Sequence, residues 1–222
     1  MPSPIIYITR GQIPDDVEVK RREWFRRRHS TDLLGIGFLS ARGFRCPTTP
    51  QNCNVYELPE AALLASEIYM QTRKADTFSP TVMKAFTYIS ASIYTQVAVM
   101  GADGAALART PTIRGPVLEL LNFDTALSGD AVAAWFGRDV VDPHRGRAGV
   151  RSIRLWEQRD AHPLFPPKEP RWTAAVEWAR DPGAGASRLH PLAQRASTAL
   201  ANARAETATK WYGLVRDDVF ED

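Results

Sequence analysis

Two segments of the sequence align with each other, and this internal similarity restricts the folds that the chain can adopt. The segment GFLSARGF at residues 37–44 aligns without gaps to GVRSIRLW at residues 149–156. Both segments carry a glycine, a serine, an arginine and an aromatic residue at matching positions, and a Trp-Phe pair precedes each of them. A repeat of this kind indicates that one supersecondary unit occurs twice in the chain.

The pattern of predicted strands and helices also repeats. Runs of β-branched and aromatic residues predict strands, and runs rich in alanine, leucine and glutamate predict helices. In the first half, strands are predicted at residues 5–10, 38–45, 54–58 and 93–100, with helices from Pro14 to about His29 and at 60–74. In the second half, strands are predicted at 116–123, 150–157, 173–179 and 210–216, with helices at 128–141, capped by Ser128, and at 190–208.

Each half therefore has the order β-α-β-β-α-β, which is that of a ferredoxin-like unit. In such a unit the helices cover one face of a four-stranded sheet, and the other face must also be buried. We expect an α+β chain in which two tandem ferredoxin-like units pack sheet against sheet into a pseudo-dimeric α/β barrel. The predicted boundaries are residues 1–101 for the first unit, 102–115 for a linker and 116–222 for the second unit.

The charge balance argues against a dedicated nucleic-acid-binding protein. The net charge is +3 and the basic residues are spread along the chain, whereas such proteins show a basic stripe with a larger excess. The N-terminus lacks the apolar core of a signal peptide, and no apolar run reaches the roughly 20 residues that span a bilayer. We expect a cytoplasmic protein with no nucleic-acid or membrane partner, with Cys46 and Cys53 reduced and a homodimer as one option.

His29 is the histidine that the sequence places best for proton transfer. It follows Phe25 by four residues on a predicted helix, so both side chains lie on one helical face, and Phe25 should pack on the sheet. Imidazole titrates near neutral pH and can accept a proton and return it elsewhere, and Asp32 could fix its tautomer. The alternative is a histidine that caps a solvated helix end beside the basic run at 26–28.

Arg42 and two tyrosines are candidate substrate-binding residues on the predicted strands. A buried arginine needs an acidic partner or an anionic ligand. Tyr7 and Tyr56 could donate hydrogen bonds to a carbonyl or an enolate oxygen. The structural alternatives are an ion pair of Arg42 with Glu57 or Glu119, and core tyrosines whose hydroxyls have partners within the protein.

The motifs of several other kinds of site are missing from the sequence. No two histidines stand four residues apart and no H-E-x-x-H occurs, so we expect no metal site. No G-x-G-x-x-G, P-loop or G-x-S-x-G motif occurs, which argues against a nucleotide cofactor and a serine hydrolase. Haem would require an axial ligand, for which His190, at the start of a predicted helix, stays a candidate.

The stretch EWFRRRH at residues 23–29, the glycine-led strand after it and the NVYEL strand before an alanine-rich SEIY helix resemble the EthD-like proteins. That family belongs to the dimeric α/β-barrel superfamily, which includes cofactor-free cyclases, isomerases and lyases, monooxygenases and haem enzymes. The resemblance implies that the histidine of the W-x4-H motif, Trp24 to His29, faces a cavity. In the second half Val140 aligns with His29, so the resemblance implies a histidine site in the first half alone.

From the residues and the resemblance we expect a cofactor-independent lyase or isomerase for a small aromatic or oxygenated cyclic substrate. His29 would be the acid and base, and Asp32 would orient it. The expected substrate-binding residues are Tyr7, Trp24, Arg42 and Tyr56. The reaction would begin with proton removal beside a carbonyl and continue as elimination, decarboxylation or cyclisation. The alternatives are a non-catalytic ligand-binding protein of the same fold and a haem- or oxygen-dependent enzyme.

Overall fold

A computed structural model of the protein describes residues 3–48, 50–165, 167–183, 187–195 and 200–216. Its strands are β1 Ile5–Gln12, β2 Ser40–Arg45, β3 Asn52–Leu58, β4 Tyr88–Gly101, β5 Val117–Asp124, β6 Val150–Ala161, β7 Trp172–Trp178 and β8 Ala201–Val215. Its α-helices are α1 Asp15–Trp24, α2 Ser30–Gly35, α3 Glu67–Ala75, α4 Ser79–Ala85, α5 Gly129–Trp135, α6 Asp142–His144 and α7 Leu189–Gln194. It also has π-helical segments at Phe25–His29 and Phe136–Val141 and a 3-10 helix at Ala61–Ala65. None of the described helices is both long enough and apolar enough to cross a membrane.

The chain divides into two compact units, and neither unit is continuous in sequence. The N-terminal unit comprises the described residues within 2–93, 160–168 and 211–222, and the C-terminal unit those within 94–159 and 169–210. Strands β1, β2 and β3 belong to the N-terminal unit and β5 and β7 to the C-terminal unit, while β4, β6 and β8 contribute residues to both. In the N-terminal unit the strands are hydrogen-bonded in the order β1-β3-β2, and in the C-terminal unit in the order β5-β7-β6.

The element order agrees with the prediction from the sequence. Each half follows β-α-β-β-α-β, with additional short helical segments, and all eight predicted strands are present. The pairs β1-β3, β2-β3, β5-β7 and β6-β7 are antiparallel, so the α+β class is confirmed. The tandem duplication of ferredoxin-like units, with a linker at 102–115, stays a prediction.

The helix predicted at residues 60–74 is interrupted at Ser66. Residues Ala61–Ala65 form the 3-10 helix, Ser66 has an extended backbone, and α3 begins at the next residue. The Ser66 hydroxyl accepts a hydrogen bond from the Tyr69 backbone N–H at 3.3 Å and thereby caps α3. A serine within an alanine-rich run therefore starts a new helix, and this helix carries Tyr69.

The helix predicted at residues 190–208 is wrong in its C-terminal part. Helix α7 ends at Gln194, residues 196–199 lie outside the described residues, and residues 201–208 belong to β8. In the β5-β8 pair, Ala205 lies opposite Leu121. Helix preferences differ by less than about 1 kcal/mol per residue among ordinary residues. The hydrogen bonds and packing of strand pairing override a preference of that size.

The register of β1, β2 and β3 determines which side chains share a face of their sheet. Tyr7 lies opposite Tyr56, which also lies opposite Ala41, so these three side chains point to one face. Glu57 follows Tyr56 and Arg42 follows Ala41. Because successive side chains in a strand alternate, Glu57 and Arg42 point to the other face.

The long first helix predicted from the sequence ends in a π-helical segment. The backbone N–H of Ser30 donates to the carbonyl of Phe25, five residues earlier. The Ser30 hydroxyl donates to the same carbonyl at 2.7 Å. Such π-helical turns are rare and occur often at functional sites. Here the turn ends at His29.

The arginines of this segment contribute little to stability. Arg26 and Arg27 are exposed, and Arg27 forms an ion pair of 3.3 Å with Glu23 in which both side chains are more than half exposed. Exposed ion pairs contribute at most about 1 kcal/mol. We expect the Arg26→Gln, Arg27→Gln double variant to change the free energy of unfolding by under about 0.5 kcal/mol in urea denaturation. A loss of several kcal/mol would contradict the exposed position of these side chains.

Candidate functional site

The side chains on the Tyr7 face of the N-terminal unit form an aromatic cluster. The ring of Tyr7 stacks on those of Tyr56 and His162, with centroid distances of 5.1 Å in both cases. Phe38 packs edge-on against Tyr56 and stacks on Tyr69 of α3. Strands β1 and β3, helix α3 and the segment after β6 thus bring aromatic rings to one place.

His29 extends the aromatic cluster from the end of the π-helical segment. Its ring centroid is 4.3 Å from that of Trp24 and 5.6 Å from that of Phe25. Its Nε2 atom is 3.4 Å from the hydroxyl oxygen of Tyr56. The expectation that Phe25 is buried and lies beside His29 is therefore confirmed.

Burial controls the acid–base state of His29. The pKa of His29 is lowered from 6.5 to about 4, with burial as the largest cause and the cations of Arg73 and Arg21 acting in the same direction. The carboxylate of Asp76 has the opposite effect. At pH 7 the imidazole is therefore neutral and able to accept a proton, whereas the sequence suggested titration near neutral pH.

The acid that influences His29 is Asp76 and not Asp32. The Oδ2 atom of Asp76 accepts a hydrogen bond from the indole N–H of Trp24 at 2.9 Å, and the Trp24 ring contacts His29. Asp32 forms an ion pair with Arg28 at 3.5 Å. The structure does not bring Asp32 to His29, so the orienting role expected of Asp32 has no contact that supports it.

A second histidine, His162, belongs to the aromatic cluster. Its Nδ1 atom accepts a hydrogen bond from the backbone N–H of Leu164 at 3.1 Å, so the proton of the neutral imidazole is on Nε2. That N–H donates to the Tyr69 hydroxyl at 3.2 Å. Burial lowers the pKa of His162 to about 4. Both ring nitrogens of His162 are thus engaged, which makes His29 the better candidate base.

The tyrosine hydroxyls of the cluster stay protonated. Burial raises the pKa of Tyr7, Tyr56 and Tyr69 above the usual value of about 10. The guanidinium of Arg73 lies over the rings of Tyr69 and Phe165, 5.8 and 5.0 Å from their centroids. The cluster therefore offers phenolic hydrogen-bond donors and one cation to an oxygen-bearing ligand.

Arg42 does not reach the aromatic cluster. Its side chain is buried, and its Nη1 atom is 3.0 Å from Oε2 of Glu57 on the opposite face of the sheet. The Ser40 hydroxyl donates to the same carboxylate oxygen at 2.5 Å. Of the two roles considered for Arg42, the structure shows the ion pair with Glu57. The substrate-binding role has no contact that supports it.

The C-terminal unit repeats this arrangement at the aligned positions. The Ser152 hydroxyl donates to Oε2 of Glu177 at 2.7 Å, and Nη2 of Arg154 is 3.3 Å from the same oxygen. The alignment of GFLSARGF with GVRSIRLW therefore matches serine and arginine residues that bind a buried glutamate in both units.

Sequence reasoning missed four members of the site: Tyr69, Arg73, Asp76 and His162. Tyr69 and Arg73 stand four residues apart on α3, and this spacing could have indicated a shared helical face. His162 precedes a proline, and its hydrogen-bond partner Tyr69 is 93 residues away. No local pattern links these two residues.

No known protein-family profile matches the chain, and no curated protein matches it. Solved structures match over nearly the whole chain. An anthrone oxidase-like protein aligns with a TM-score of 0.65 and 11% identity, covering 99% of this chain and 96% of that one. A presumed monooxygenase from Fusobacterium nucleatum gives a TM-score of 0.62 and 9% identity, with coverages of 97% and 95%.

A presumed chlorite dismutase gives a TM-score of 0.53 and 12% identity, covering 94% of this chain and 95% of that one. This chain therefore shares the fold of these structures over nearly its whole length. At such identities the likeness shows the fold alone. Membership of the dimeric α/β-barrel superfamily, and of the EthD-like group within it, stays a prediction.

The part of the chain that the structure describes contains no cluster of three or more His, Cys, Asp or Glu side chains that could hold a metal ion.

The C-terminal unit contains a cavity of about 520 Å³. The cavity is lined by Glu119, Asp181, Pro182, Gly183, Ser187, Arg188, His190, Pro191, Gln194 and Thr207.

His190 is one of the residues that line this cavity. The Nε2 atom of His190, the candidate axial ligand, is 3.3 Å from the Thr207 hydroxyl and engaged with it. A haem role for His190 therefore gains no support from the structure.

Proposed function

We propose that the protein is an enzyme in which His29 removes a proton from a small aromatic or oxygenated cyclic substrate. The observation that carries this proposal is the neutral, half-buried imidazole of His29, whose Nε2 atom lies 3.4 Å from the Tyr56 hydroxyl. A histidine with a lowered pKa remains an unprotonated base at pH 7. The step uses side chains of the protein alone.

The surrounding residues can stabilise the charges that this step creates. Trp24 and the tyrosine rings can stack on the ring of the substrate. When an acidic group beside a carbonyl loses its proton, negative charge develops on oxygen, and the neutral hydroxyls of Tyr7 and Tyr56 can donate to it. The carboxylate of Asp76 favours the imidazolium of His29 that forms in the same step.

Two reaction classes can follow from the deprotonated substrate. The first is a lyase or isomerase reaction, in which the carbanion expels a leaving group or closes a ring. In the decarboxylation variant of this class, the carbanion forms instead when the substrate loses carbon dioxide, and the imidazolium of His29 then protonates it. The second is oxidation by dioxygen, which is favoured by the names of the structural neighbours, an anthrone oxidase-like protein and a presumed monooxygenase. A non-catalytic binding protein would bind the same ligands without exchanging their acidic protons.

Deuterium exchange at the acidic carbon of an anthrone in D₂O tests the proton-transfer step separately from later chemistry. Under nitrogen, we expect the protein to accelerate this exchange, as followed by NMR. Protonated His29 is inactive as a base, so the rate constant should rise with pH through about 4 and stay level near pH 7.

The His190→Gln variant is the matched control, because His190 is a half-buried histidine of the C-terminal unit, and it should retain the exchange activity. Repeating the incubation in air distinguishes the two classes, since oxidation alone consumes dioxygen. The absence of accelerated exchange for anthrones and related hydroxyaryl ketones would contradict the proposal. If the exchange rate began to fall near pH 6.5 as the pH is lowered, the proposed role of His29, with its lowered pKa, would be contradicted.

A further inference from the structure

The C-terminal unit contains a buried carboxyl group whose oxygens accept no hydrogen bond of ordinary geometry. Glu119 on β5 is 0% exposed. Neither of its carboxyl oxygens accepts a hydrogen bond from any residue that the structure describes. Its Oε2 atom is 4.0 Å from Nε2 of His144, which is too long for a hydrogen bond. A buried carboxyl group in this condition is costly and therefore uncommon.

His144 adds a further acceptor beside Glu119. The Nδ1 atom of His144 is 2.7 Å from the backbone carbonyl of Val140, and since a carbonyl can only accept, Nδ1 carries the proton. Burial lowers the pKa of His144, so the ring is neutral and Nε2 bears a lone pair. This Nε2 atom is buried and has no hydrogen-bond partner within the described residues. Two groups 4.0 Å apart thus both present acceptor atoms.

The neighbouring donors do not offset the burial of Glu119. Ser187 and Trp178 lower the pKa of Glu119, as do the charges of His190 and Arg147, but burial has the larger effect and raises it. The indole N–H of Trp178 has no hydrogen-bond partner of ordinary geometry in the described part of the chain.

Glu119 lines the cavity of about 520 Å³ described above. Thr207 lies opposite Glu119 on β8, and His190 on α7 forms another wall, with the exposed residues Asp181 and Arg188 also contributing to the lining. At about 30 Å³ per water-sized group, the cavity has room for roughly 17 such groups. A molecule of about ten non-hydrogen atoms therefore fits.

The carboxyl group is not required by the fold. In the N-terminal unit Tyr7 lies opposite Tyr56 in the β1-β3 pair, and in the C-terminal unit Glu119 lies opposite Val176 at the corresponding place in the β5-β7 pair. A neutral side chain thus occupies the matching position in the other unit. Glu119 therefore calls for an explanation specific to the C-terminal unit.

We propose that this cavity binds a small organic amine in its protonated form, with the ammonium group contacting Glu119. An ammonium group has three donors and no acceptor. It can donate to the Glu119 carboxylate, and its charge compensates that of the buried carboxylate. His144 lies beside Glu119 but does not line the cavity, and its Nε2 atom supplies no donor to the carboxylate. A neutral alcohol of the same shape supplies one donor and no charge, and an anion would be repelled by Glu119.

Benzylamine is a suitable probe, because it is small enough for the cavity and protonated at pH 8, as alkyl amines are. Benzyl alcohol and phenylacetate are the neutral and anionic probes of similar size. In calorimetric titrations of the full chain, we expect benzylamine to bind with a Kd on the order of 1 mM. The other two probes should bind at least about tenfold more weakly, as expected when one charged contact is lost.

The Glu119→Gln variant should bind benzylamine at least about tenfold more weakly and should melt at a higher temperature than the parent at pH 8. The reason for the second effect is that the pKa of Glu119 is raised in the folded state. Below the pKa that Glu119 has in the unfolded chain, the carboxyl group is protonated in both states, so its burial costs no stability. As the pH rises from that value towards the raised pKa in the folded protein, the loss of stability grows. Glutamine removes this cost.

Asp181→Asn is the matched control, because Asp181 is an exposed acid of the same cavity. It should change the affinity by less than about threefold, as for a screened surface charge. Four results would overturn the proposal: no binding of benzylamine, equal binding of the alcohol, full affinity in Glu119→Gln, or a lower melting temperature of that variant. The last would show that the carboxyl group is structural.

Discussion

The His29→Gln variant is expected to lose about 10²- to 10⁴-fold in turnover while it keeps its fold, which is the usual effect of losing a general acid or base. Glutamine is similar in size to histidine and can still contact the Trp24 ring. It cannot accept a proton, however, so the substrate keeps its acidic hydrogen. Because His29 is half-buried and its neighbour Phe25 fills the core beneath it, the melting temperature should change little.

Two measurements on the same sample check this prediction: the rate of deuterium exchange and the melting temperature. His190→Gln provides the comparison for a histidine replaced elsewhere, and it should behave as the parent protein in both. If His29→Gln exchanged the anthrone proton at the parental rate, the catalytic role of His29 would be wrong. If both activity and melting temperature fell, the residue would be structural.

The Arg42→Met variant is expected to lose about 3 to 5 kcal/mol of the free energy of unfolding, because it leaves a buried carboxylate without its guanidinium partner. Arg42 and Glu57 are 1% and 0% exposed, and their charged groups are 3.0 Å apart. Removing one member of such a pair costs more than the pair itself contributes. Urea denaturation at pH 7 measures the loss.

The double variant Arg42→Met, Glu57→Leu should recover much of this loss, since apolar residues of similar volume often replace a buried ion pair without penalty. Arg154→Met, at the matching position of the C-terminal unit, should also be strongly destabilised. By contrast, a stable Arg42→Met protein with weakened substrate binding would support the substrate-binding role predicted from the sequence.

The strands were predictable because their signal lies in consecutive residues. β1 and β3 are short runs of β-branched and aromatic residues with turn-forming residues on either side. The prediction of a helix at 190–208 was wrong in its C-terminal part because the preference of alanine for helical structure is weak. The residues that draw β8 into the sheet lie far away, as in the pair Asn122 and Glu206, which are 84 residues apart.

The part of the candidate site that is formed by residues close together in the sequence could be predicted. His29 stands in a short motif with Trp24, and both side chains are in the aromatic cluster. His162 joins that cluster only through the folded chain. For Arg42, strand alternation predicted which residues lie on the same face of the sheet. Which of the two faces carries the aromatic cluster depends on where the helices pack, and the sequence does not show that.

The discontinuity of the two units affects the order in which the chain can fold during its synthesis. The described residues within 160–168, with His162, and the end of β8 at residues 211–215 belong to the N-terminal unit. Domains generally fold as they leave the ribosome, with the N-terminal one first. Here residues 2–93 cannot complete their unit until the last strand has been translated. Until residues 211–215 have been translated, β1, β2 and β3 lack part of their unit, and aggregation competes with folding in that interval.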